Sequence, residues 1–318
     1  MRKDGTVAWD GYRFEVPYET VGDSVYLVIN PHNQTAHRIE SKDGVVLGAV
    51  TKLDPIANLN RKRQRPNTET VSMENPSFSL LKERFQRLIE DPGIGLLTGE
   101  AGVGKTACLR HLCAGLNPHQ YEVIYIAETQ FSSFDVYRQI AQNFGLTPHY
   151  RFSQLWRDIK YHIRERIENK SRIPILIFDE SQNLPLSFFQ SFPSFLNFNF
   201  DSQDMLVVWF VGHPELAHLL NRQAHVALSS RIQVRHQLEP VGEREAFSKL
   251  ISQAFKEAGA TAGLLSDSGV ELLRTASGGK PRYAHRILTE SFSLAAKKGL
   301  NHIPDEVIEV AIMQIKGG

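Results

Sequence analysis

Residues 99–106 are Gly-Glu-Ala-Gly-Val-Gly-Lys-Thr, and this stretch decides the fold of the chain. It fits the pattern G-x-x-x-x-G-K-[ST], whose glycines let successive backbone N–H groups point into one concavity. The apolar run at 94–98 predicts a strand that enters the stretch, and residues 107–115 predict the helix that leaves it. The N-terminus of that helix adds a partial positive charge, which suits an anion. We therefore predict a phosphate-binding loop between a strand and a helix.

Each part of this loop has an expected role at a bound nucleotide. Lys105 would reach the β- and γ-phosphates of ATP, and Thr106 would offer its hydroxyl to Mg²⁺. The other contacts with the nucleotide would come from Gly99, Glu100, Ala101, Gly102, Val103, Gly104 and Ala107. The alternative is a glycine-rich turn before an ordinary helix. The complete match between a strand and a helix argues against it.

A second chemical landmark follows the apolar run at 173–178, which ends in Asp179 and Glu180. The carboxyl ends of parallel strands meet at one edge of a sheet, so this pair would lie beside the phosphate-binding loop. Asp179 would hold Mg²⁺ through water, and Glu180 would act as a general base on the attacking water. An apolar strand followed by Asp-Glu is common by accident, but its place downstream of a phosphate-binding loop makes it specific.

Composition excludes several classes of protein. With 318 residues, 42% of them hydrophobic and 22% charged, the chain has the size and balance of a globular protein with two or three domains. A net charge of +1 provides no global field for nucleic acid, so contacts with DNA would need local patches. Cys108 and Cys113, both on the predicted helix, indicate buried thiols in a reducing compartment. Without a membrane span or signal peptide, we expect a cytoplasmic protein.

The part before the nucleotide domain divides into two. Short alternating runs separated by turn residues predict an all-β domain at 1–60, which would form a small barrel; the runs are 12–16, 24–29, 35–39 and 45–50. Residues 61–75 begin with clustered arginines and lysine and form a basic and polar linker. This linker is either a solvated hinge or an arm that grips phosphates.

Two further domains follow. Residues 76–240 predict an α/β domain with a parallel sheet flanked by helices, and 241–318 predict a helical lid of four helices. The segment 184–200 carries six phenylalanines, of which several have helical spacing; they are Phe188, Phe189, Phe192, Phe195, Phe198 and Phe200. We expect these rings to pack against the sheet. The alternative is an aromatic platform on which nucleic-acid bases stack.

From about residue 75 to its end, the chain resembles AAA+ ATPases of the ExeA, TniB and TnsC group. The resemblance is carried, in the family order, by GLLTGEAGVGKT, ILIFDESQNL, VVWFVGHPEL, LSSRIQVRHQLEPV and SGGKPRYAHRIL. Residues 1–60 resemble the C-terminal β-barrel of DDE transposases of the Mu, TniA and TnsB kind. That second match is carried by VAWDGYRFEVPYETVGDSVYLVINP, KDGVVLGAV and LDPIANLNRKRQRP. It covers the terminal barrel alone, so transposase chemistry is not implied; a generic SH3-like barrel is the alternative.

The AAA+ resemblance implies three more site residues. His213 would be sensor 1, where Gln, Asn or Thr is more usual, although a His before Pro is also an ordinary helix cap. Arg282 would be the sensor 2 arginine, which reaches the γ-phosphate from the lid. Arg231 would be the arginine finger that completes the ATP site of a neighbouring subunit. Arg235 is the second candidate for that role, and pairing with a carboxylate is the structural alternative for Arg231.

The function that these resemblances imply is ATP-dependent regulation of DNA transposition. The chain would hydrolyse ATP slowly, as a switch, and would assemble on double-stranded DNA as a ring or helical filament. It would track the phosphate backbone through the loops 128–133 and 181–186, using backbone amides, Thr129 and Gln130, with Lys and Arg from the neighbouring helices. It would recruit or activate a DDE transposase at the target, and target-selection proteins would be further partners. A secretion-associated assembly ATPase and a replication-initiator-like DNA loader are the alternatives. No membrane partner is expected.

Overall fold

The computed structural model describes residues 6–9, 12–15, 26–30, 35–43, 45–49, 51–52, 76–127, 129–169, 172–198, 205–258 and 263–317. The chain divides into two compact units, Met1–Thr68 and Glu69–Gly318. The basic linker predicted at 61–75 lies outside the described residues.

The described part of the first unit consists of short strands. They are β1 (Thr6–Trp9), β2 (Tyr12–Glu15), β3 (Tyr26–Asn30), β4 (Thr35–Glu40), β5 (Val46–Ala49) and β6 (Thr51–Lys52). They form two antiparallel three-stranded sheets, in the orders β1-β2-β6 and β3-β4-β5. Where the structure describes them, the four alternating runs of the sequence therefore overlap β2, β3, β4 and β5. Closure into a barrel remains a prediction.

The second unit is built on one parallel sheet. Its strands are β7 (Ile94–Thr98), β8 (Tyr121–Ile126), β9 (Ile173–Phe178), β10 (Val207–Gly212) and β11 (Ile232–Gln237). Their order is β11-β7-β10-β9-β8, and every neighbouring pair is parallel. β7, β9 and β10 read as continuous apolar runs because helices cover both faces of the sheet. The predicted α/β class with a parallel sheet is thus confirmed.

Helices surround the sheet and then form the lid. They are α1 (Pro76–Glu90), α2 (Lys105–Ala114), α3 (Ser133–Asn143), α4 (Phe152–Glu168), α5 (Leu186–Leu196), α6 (Pro214–Leu220), α7 (Val226–Ser229), α8 (Arg244–Glu257), α9 (Asp267–Ser277), α10 (Pro281–Lys297) and α11 (Asp305–Gly317). The last four pack around a core of their own. Among the described residues, no helix is long and apolar enough to cross a membrane.

The phenylalanines of α5 are core residues. Phe188, Phe192 and Phe195 are fully buried, and their rings contact one another. Phe178 at the end of β9 and Phe210 on β10 lie against the same cluster. The expectation that these rings pack against the sheet is confirmed, and a base-stacking platform is excluded for them. Phe200 lies outside the described residues.

The two cysteines on α2 differ in how deeply they are buried. Cys108 is buried, whereas Cys113 is partly exposed. Burial raises the pKa of each thiol to about 12, so both are protonated near neutral pH.

Candidate active site

The loop between β7 and α2 has the backbone that its glycines predict. Gly102 and Gly104 have φ values of 82° and 102°, in the left-handed region that favours glycine. Gly104 is the N-cap residue of α2, so the helix N-terminus opens directly onto the loop. A side chain at Gly99 would also meet the backbone oxygen of Leu238, 2.6 Å from an added Cβ. The loop is therefore restricted to glycine at these points for steric reasons.

Lys105 is held inside the loop. Its side chain is buried, and Nζ donates to the carbonyl oxygens of Gly99 at 2.8 Å and Glu100 at 3.0 Å. Burial lowers the pKa of Lys105, while the charges of Glu180 and Asp179 oppose that shift. The phosphate oxygens of a nucleotide would be the stronger acceptors for this ammonium, since they carry charge.

The remaining loop residues have different surroundings. Val103 is buried in the core beneath α2, whereas Ala107 is exposed on the first turn of that helix. Ala101 lies on the side of the loop that faces the lid. Val103 therefore anchors the loop in the core. Ala101 and Ala107 lie on the accessible side of the loop.

Thr106 and Asp179 come together across the loop and the end of β9. Thr106 Oγ1 donates to Asp179 Oδ2 at 2.7 Å, and the hydroxyl of Tyr125 donates to the same oxygen at 2.7 Å. Asp179 is buried, and all three residues line a cavity of about 240 Å³. A hydroxyl and a carboxylate are oxygen ligands of the kind that Mg²⁺ accepts when phosphates and waters supply the rest. The described residues hold no group of three His, Cys, Asp or Glu side chains that would bind a metal alone.

Glu180 has a strained backbone and an accessible side chain. Its φ of 49° is the one positive value among the described non-glycine residues. Its N–H donates to Asp179 Oδ1 at 2.9 Å, and its carbonyl accepts from the Thr129 hydroxyl at 3.0 Å. The side chain is 48% exposed. The carboxylate thus stands at the mouth of the site on a backbone that neighbouring groups hold in place.

Thr129 was expected at a DNA-contacting surface, and that expectation is wrong for its side chain. Thr129 is 2% exposed, and its hydroxyl is used by Glu180. Gln130 and Phe131 beside it are exposed, as is Leu186 in the second loop. Both loops follow strand ends at the same edge of the sheet, but Glu128 lies outside the described residues.

His213 lies at the end of β10, next to Glu180. Its Nε2 is 3.7 Å from Glu180 Oε2. It is also the N-cap residue of α6, followed by Pro214, but its side chain makes no capping hydrogen bond. The position therefore agrees with both alternatives that the sequence left open.

Gln182 is a site residue that the sequence reasoning missed. Its Nε2 donates to Glu180 Oε2 at 2.6 Å, and its Oε1 accepts from the backbone N–H of His213 at 3.1 Å. The available signal was its place two residues after Glu180, in the turn that closes the strand.

The lid meets the loop through the start of α10. The backbone N–H of Arg282 donates to the Gly102 carbonyl at 3.2 Å, and a Cβ at Gly102 would lie 3.1 Å from the Arg282 Cβ. Lys280 forms an ion pair with Glu100. A cavity of about 600 Å³ between loop and lid is lined in part by Lys280, Arg282 and Arg286. The structure thus brings Arg282 to the loop as expected, with two cations that the sequence analysis did not name.

Arg231 is the predicted site residue that the structure does not bring to the loop. It precedes β11, whose first residue Ile232 pairs with Ile94 at the start of β7. The loop follows the other end of β7, where Thr98 pairs with Gln237. Ile94 and Thr98 are four residue steps apart along the strand, which is roughly 13 Å. Arg231 therefore lies at the amino ends of the strands, whereas the phosphate-binding loop of the same chain lies at their carboxyl ends.

The alternative finger, Arg235, is engaged locally. Its Nη2 donates to the Ser229 hydroxyl at 2.7 Å and to the Ser229 carbonyl at 3.2 Å. The residue is exposed on β11.

Comparisons with known proteins show which proteins the chain is similar to. Residues 86–220 match the AAA domain family. General secretion pathway protein A of Aeromonas hydrophila is 26% identical over 255 residues, which are 79% of this chain and 46% of that protein. The chain thus spans less than half the length of that curated relative.

Solved structures share the fold. Cdc6p from Pyrobaculum aerophilum has a TM-score of 0.64 at 18% identity, over 77% of this chain and 68% of that one. The Aeropyrum pernix ORC1 protein, solved in complex with DNA, has a TM-score of 0.55 at 18% identity, over 75% and 64% of the two chains.

Proposed function

We propose that this AAA-domain ATPase is a nucleotide-dependent switch that assembles on double-stranded DNA and regulates DNA transposition. One observation supports the proposal that copies of the chain assemble. The loop, the Asp179–Glu180 pair and Arg282 converge in one chain, whereas Arg231 lies at the far edge of the sheet. A second copy that presents its Arg231 to this site would supply the missing cation.

The chain's own residues suit hydrolysis of ATP. Lys105, Arg282 and the loop amides would bind the phosphates, and Thr106 and Asp179 would hold Mg²⁺. The bound ion would neutralise charge between the β- and γ-phosphates. Glu180, with its exposed carboxylate, would take a proton from the attacking water. Hydrolysis would then dismantle the assembly.

The proposal of a DNA partner rests on the sequence resemblance of residues 1–60. The fold is compatible with such a partner, since the Aeropyrum pernix ORC1 protein, which shares the fold, is solved in complex with DNA. Residues 1–60 resemble a transposase C-terminal barrel in sequence, and four short strands overlap the alternating runs from which a β domain was predicted. We propose contacts with the phosphate backbone, a ring or helical filament as the assembled form, and a DDE transposase with target-selection proteins as partners.

A second candidate is a secretion-associated assembly ATPase. The 26% identity with General secretion pathway protein A over 255 residues favours it. Both candidates share the ATP-driven assembly, and they differ in whether DNA promotes it. The likeness to Cdc6p and ORC1 shows the fold alone, so it does not favour a replication loader by itself.

Mixing two inactive variants tests the assembly. Arg231→Ala should bind ATP but lose on the order of 10³ in hydrolysis, because the guanidinium neutralises charge that develops on the γ-phosphoryl oxygens. Lys105→Ala should lose ATP binding. In a mixture, an Arg231→Ala site that receives Arg231 from a Lys105→Ala neighbour is complete, so activity should return. Arg235→Ala is the matched control and should keep the parent rate.

No recovery in a mixture whose co-assembly is confirmed by labelled subunits would refute an Arg231 that acts between copies. Sedimentation with ATP then separates the two candidates. Regulation of transposition predicts that duplex DNA of any sequence shifts the chain to large assemblies, and that increasing salt weakens this shift. If ATP produces assemblies of the same size with and without duplex DNA, the secretion-associated candidate is favoured.

A further inference from the structure

Gln182 connects Glu180 to His213, which lies 31 residues after Gln182 in the sequence. Its Nε2 donates to Glu180 Oε2 at 2.6 Å, and its Oε1 accepts from the His213 N–H at 3.1 Å. One amide therefore joins the end of β9 to the end of β10. The His213 N–H accepts nothing, so it fixes the orientation of the amide: Oε1 faces β10 and the NH₂ group faces Glu180.

Gly212 leaves the space in which this amide lies. A Cβ added at Gly212 would come within 2.4 Å of Gln182 Oε1 and 3.5 Å of its backbone nitrogen. Gly212 does not have a positive φ, so its backbone conformation does not require glycine. The absent side chain is instead explained by the close approach of Gln182 and of Leu216, whose Cδ2 would lie 3.0 Å from the added Cβ.

The amide also completes a set of hydrogen bonds around Glu180. The strained backbone at Glu180 is held by Asp179 Oδ1 on its N–H and by Thr129 on its carbonyl. Gln182 is the donor that holds its carboxylate, whereas the His213 ring is farther away at 3.7 Å. Strained residues persist where several neighbours determine their conformation together.

We propose that Gln182 is a positioning residue that aims the Glu180 carboxylate and couples it to the end of β10. This function rests on the proposed role of Glu180 as the general base. The donated hydrogen bond occupies Oε2 and leaves Oε1 to accept the proton of the attacking water. The coupling runs through the backbone of His213, so it does not require a sensor side chain at that position.

Three substitutions at this contact test the proposal. Gln182→Leu removes both hydrogen bonds. Gln182→Glu keeps an acceptor for the His213 N–H but replaces the donor to Glu180 with a like charge. Gly212→Ala changes no polar group and displaces the amide. Gln237→Leu is the matched control, since Gln237 donates to Glu239 at 2.8 Å with the same two-residue spacing and is exposed on β11.

Each of the three variants should lower kcat for ATP by between about 10-fold and 100-fold, because a misplacement of ~1 Å can cost on the order of 10² in rate. KM and the affinity for a fluorescent ATP analogue should stay within about twofold, because no group that binds phosphate has changed. Gln182→Glu should also move the acidic limb of the kcat–pH profile to higher pH, since adjacent carboxylates disfavour a second charge. If Glu180 is not the general base, that limb should stay in place; a merely structural role of Gln182 would instead not confine the loss to kcat.

Two further measurements make the outcome decisive. Gln182→Leu added to Glu180→Gln should lower kcat no further, because the base is already gone. If Glu180→Gln is slow while folded Gln182→Leu keeps the parent kcat, the positioning role is refuted and the general base stands. If Glu180→Gln itself hydrolyses ATP at the parent rate, the assignment of the base fails. Should Gly212→Ala fail to fold by circular dichroism, the two Gln182 variants decide the question.

Discussion

His236 should make the stability of the folded chain depend on pH below neutrality. It is 4% exposed on β11, where Arg84 Nη1 lies 3.0 Å from its Nδ1 and the Ser77 hydroxyl lies 3.3 Å from its Nε2. Arg84 can only donate, so Nδ1 accepts and the ring is neutral. Burial, with the nearby Arg84 charge, lowers the pKa of His236 from 6.5 to about 4.

The sign and size of the effect follow from this shift. Between pH 6.5 and about 4 the unfolded chain binds a proton at His236 that the folded chain does not, so acid favours unfolding. The contribution is fully present above pH 6.5 and is lost as the pH falls toward about 4. At ~1.4 kcal/mol for each unit of pKa difference, the loss is about 3 kcal/mol.

Urea unfolding from pH 4.5 to 7.5, followed by circular dichroism, measures this contribution. His236→Asn cannot titrate, so its stability should fall less steeply with acid than that of the parent. Carboxylates that lose stabilising partners in acid, such as Glu100 and Asp305, contribute to both chains and cancel in the difference. His218→Asn, at an exposed position, is the control and should match the parent. Equal pH dependence of the parent and His236→Asn would refute the reasoning.

Two other changes have definite expected outcomes. Glu180→Gln should bind ATP as the parent does and hydrolyse it on the order of 10² more slowly in single-turnover assays. Assemblies formed with ATP should then persist during sedimentation. Rapid disassembly would contradict this prediction. Phe192→Ala should lower the free energy of unfolding by about 4 kcal/mol in denaturant titrations, because the fully buried ring of Phe192 contacts Phe178 and Phe210. A loss below ~1 kcal/mol would mean that the neighbouring rings repack and fill the cavity.

Periodicity predicted the helices and strands of the second unit closely. The apolar runs at 94–98 and 173–178 are the strands Ile94–Thr98 and Ile173–Phe178, and the helix expected at 107–115 is Lys105–Ala114. These segments agree because apolar spacing and Pro or Gly at their ends are local properties. The same holds for the loop at 99–106, whose glycines specify their own backbone.

Partners that are distant in sequence could not be found in this way. Thr129 was assigned to a DNA-contacting surface because the family resemblance implies one for the loop 128–133, yet its hydroxyl turns inward to the Glu180 carbonyl. Lys280 and Glu100 form an ion pair only because the lid packs against the loop. Polar residues of loops are exposed on average, and only the packing of neighbouring elements decides which of them turn inward.

By itself, the amino-acid sequence determined the phosphate-binding loop, the Asp179–Glu180 pair after a buried strand, and the alternation of strands and helices, because each depends on residues within a few positions. The tertiary structure alone decided how these parts combine. The strand order put β10 beside β9, and this brought Gln182 between Glu180 and His213. The parallel pairing of β11 with β7 put Arg231 at the edge opposite the loop. Strand order and register arise from packing over the whole sheet, and no short stretch of sequence contains them.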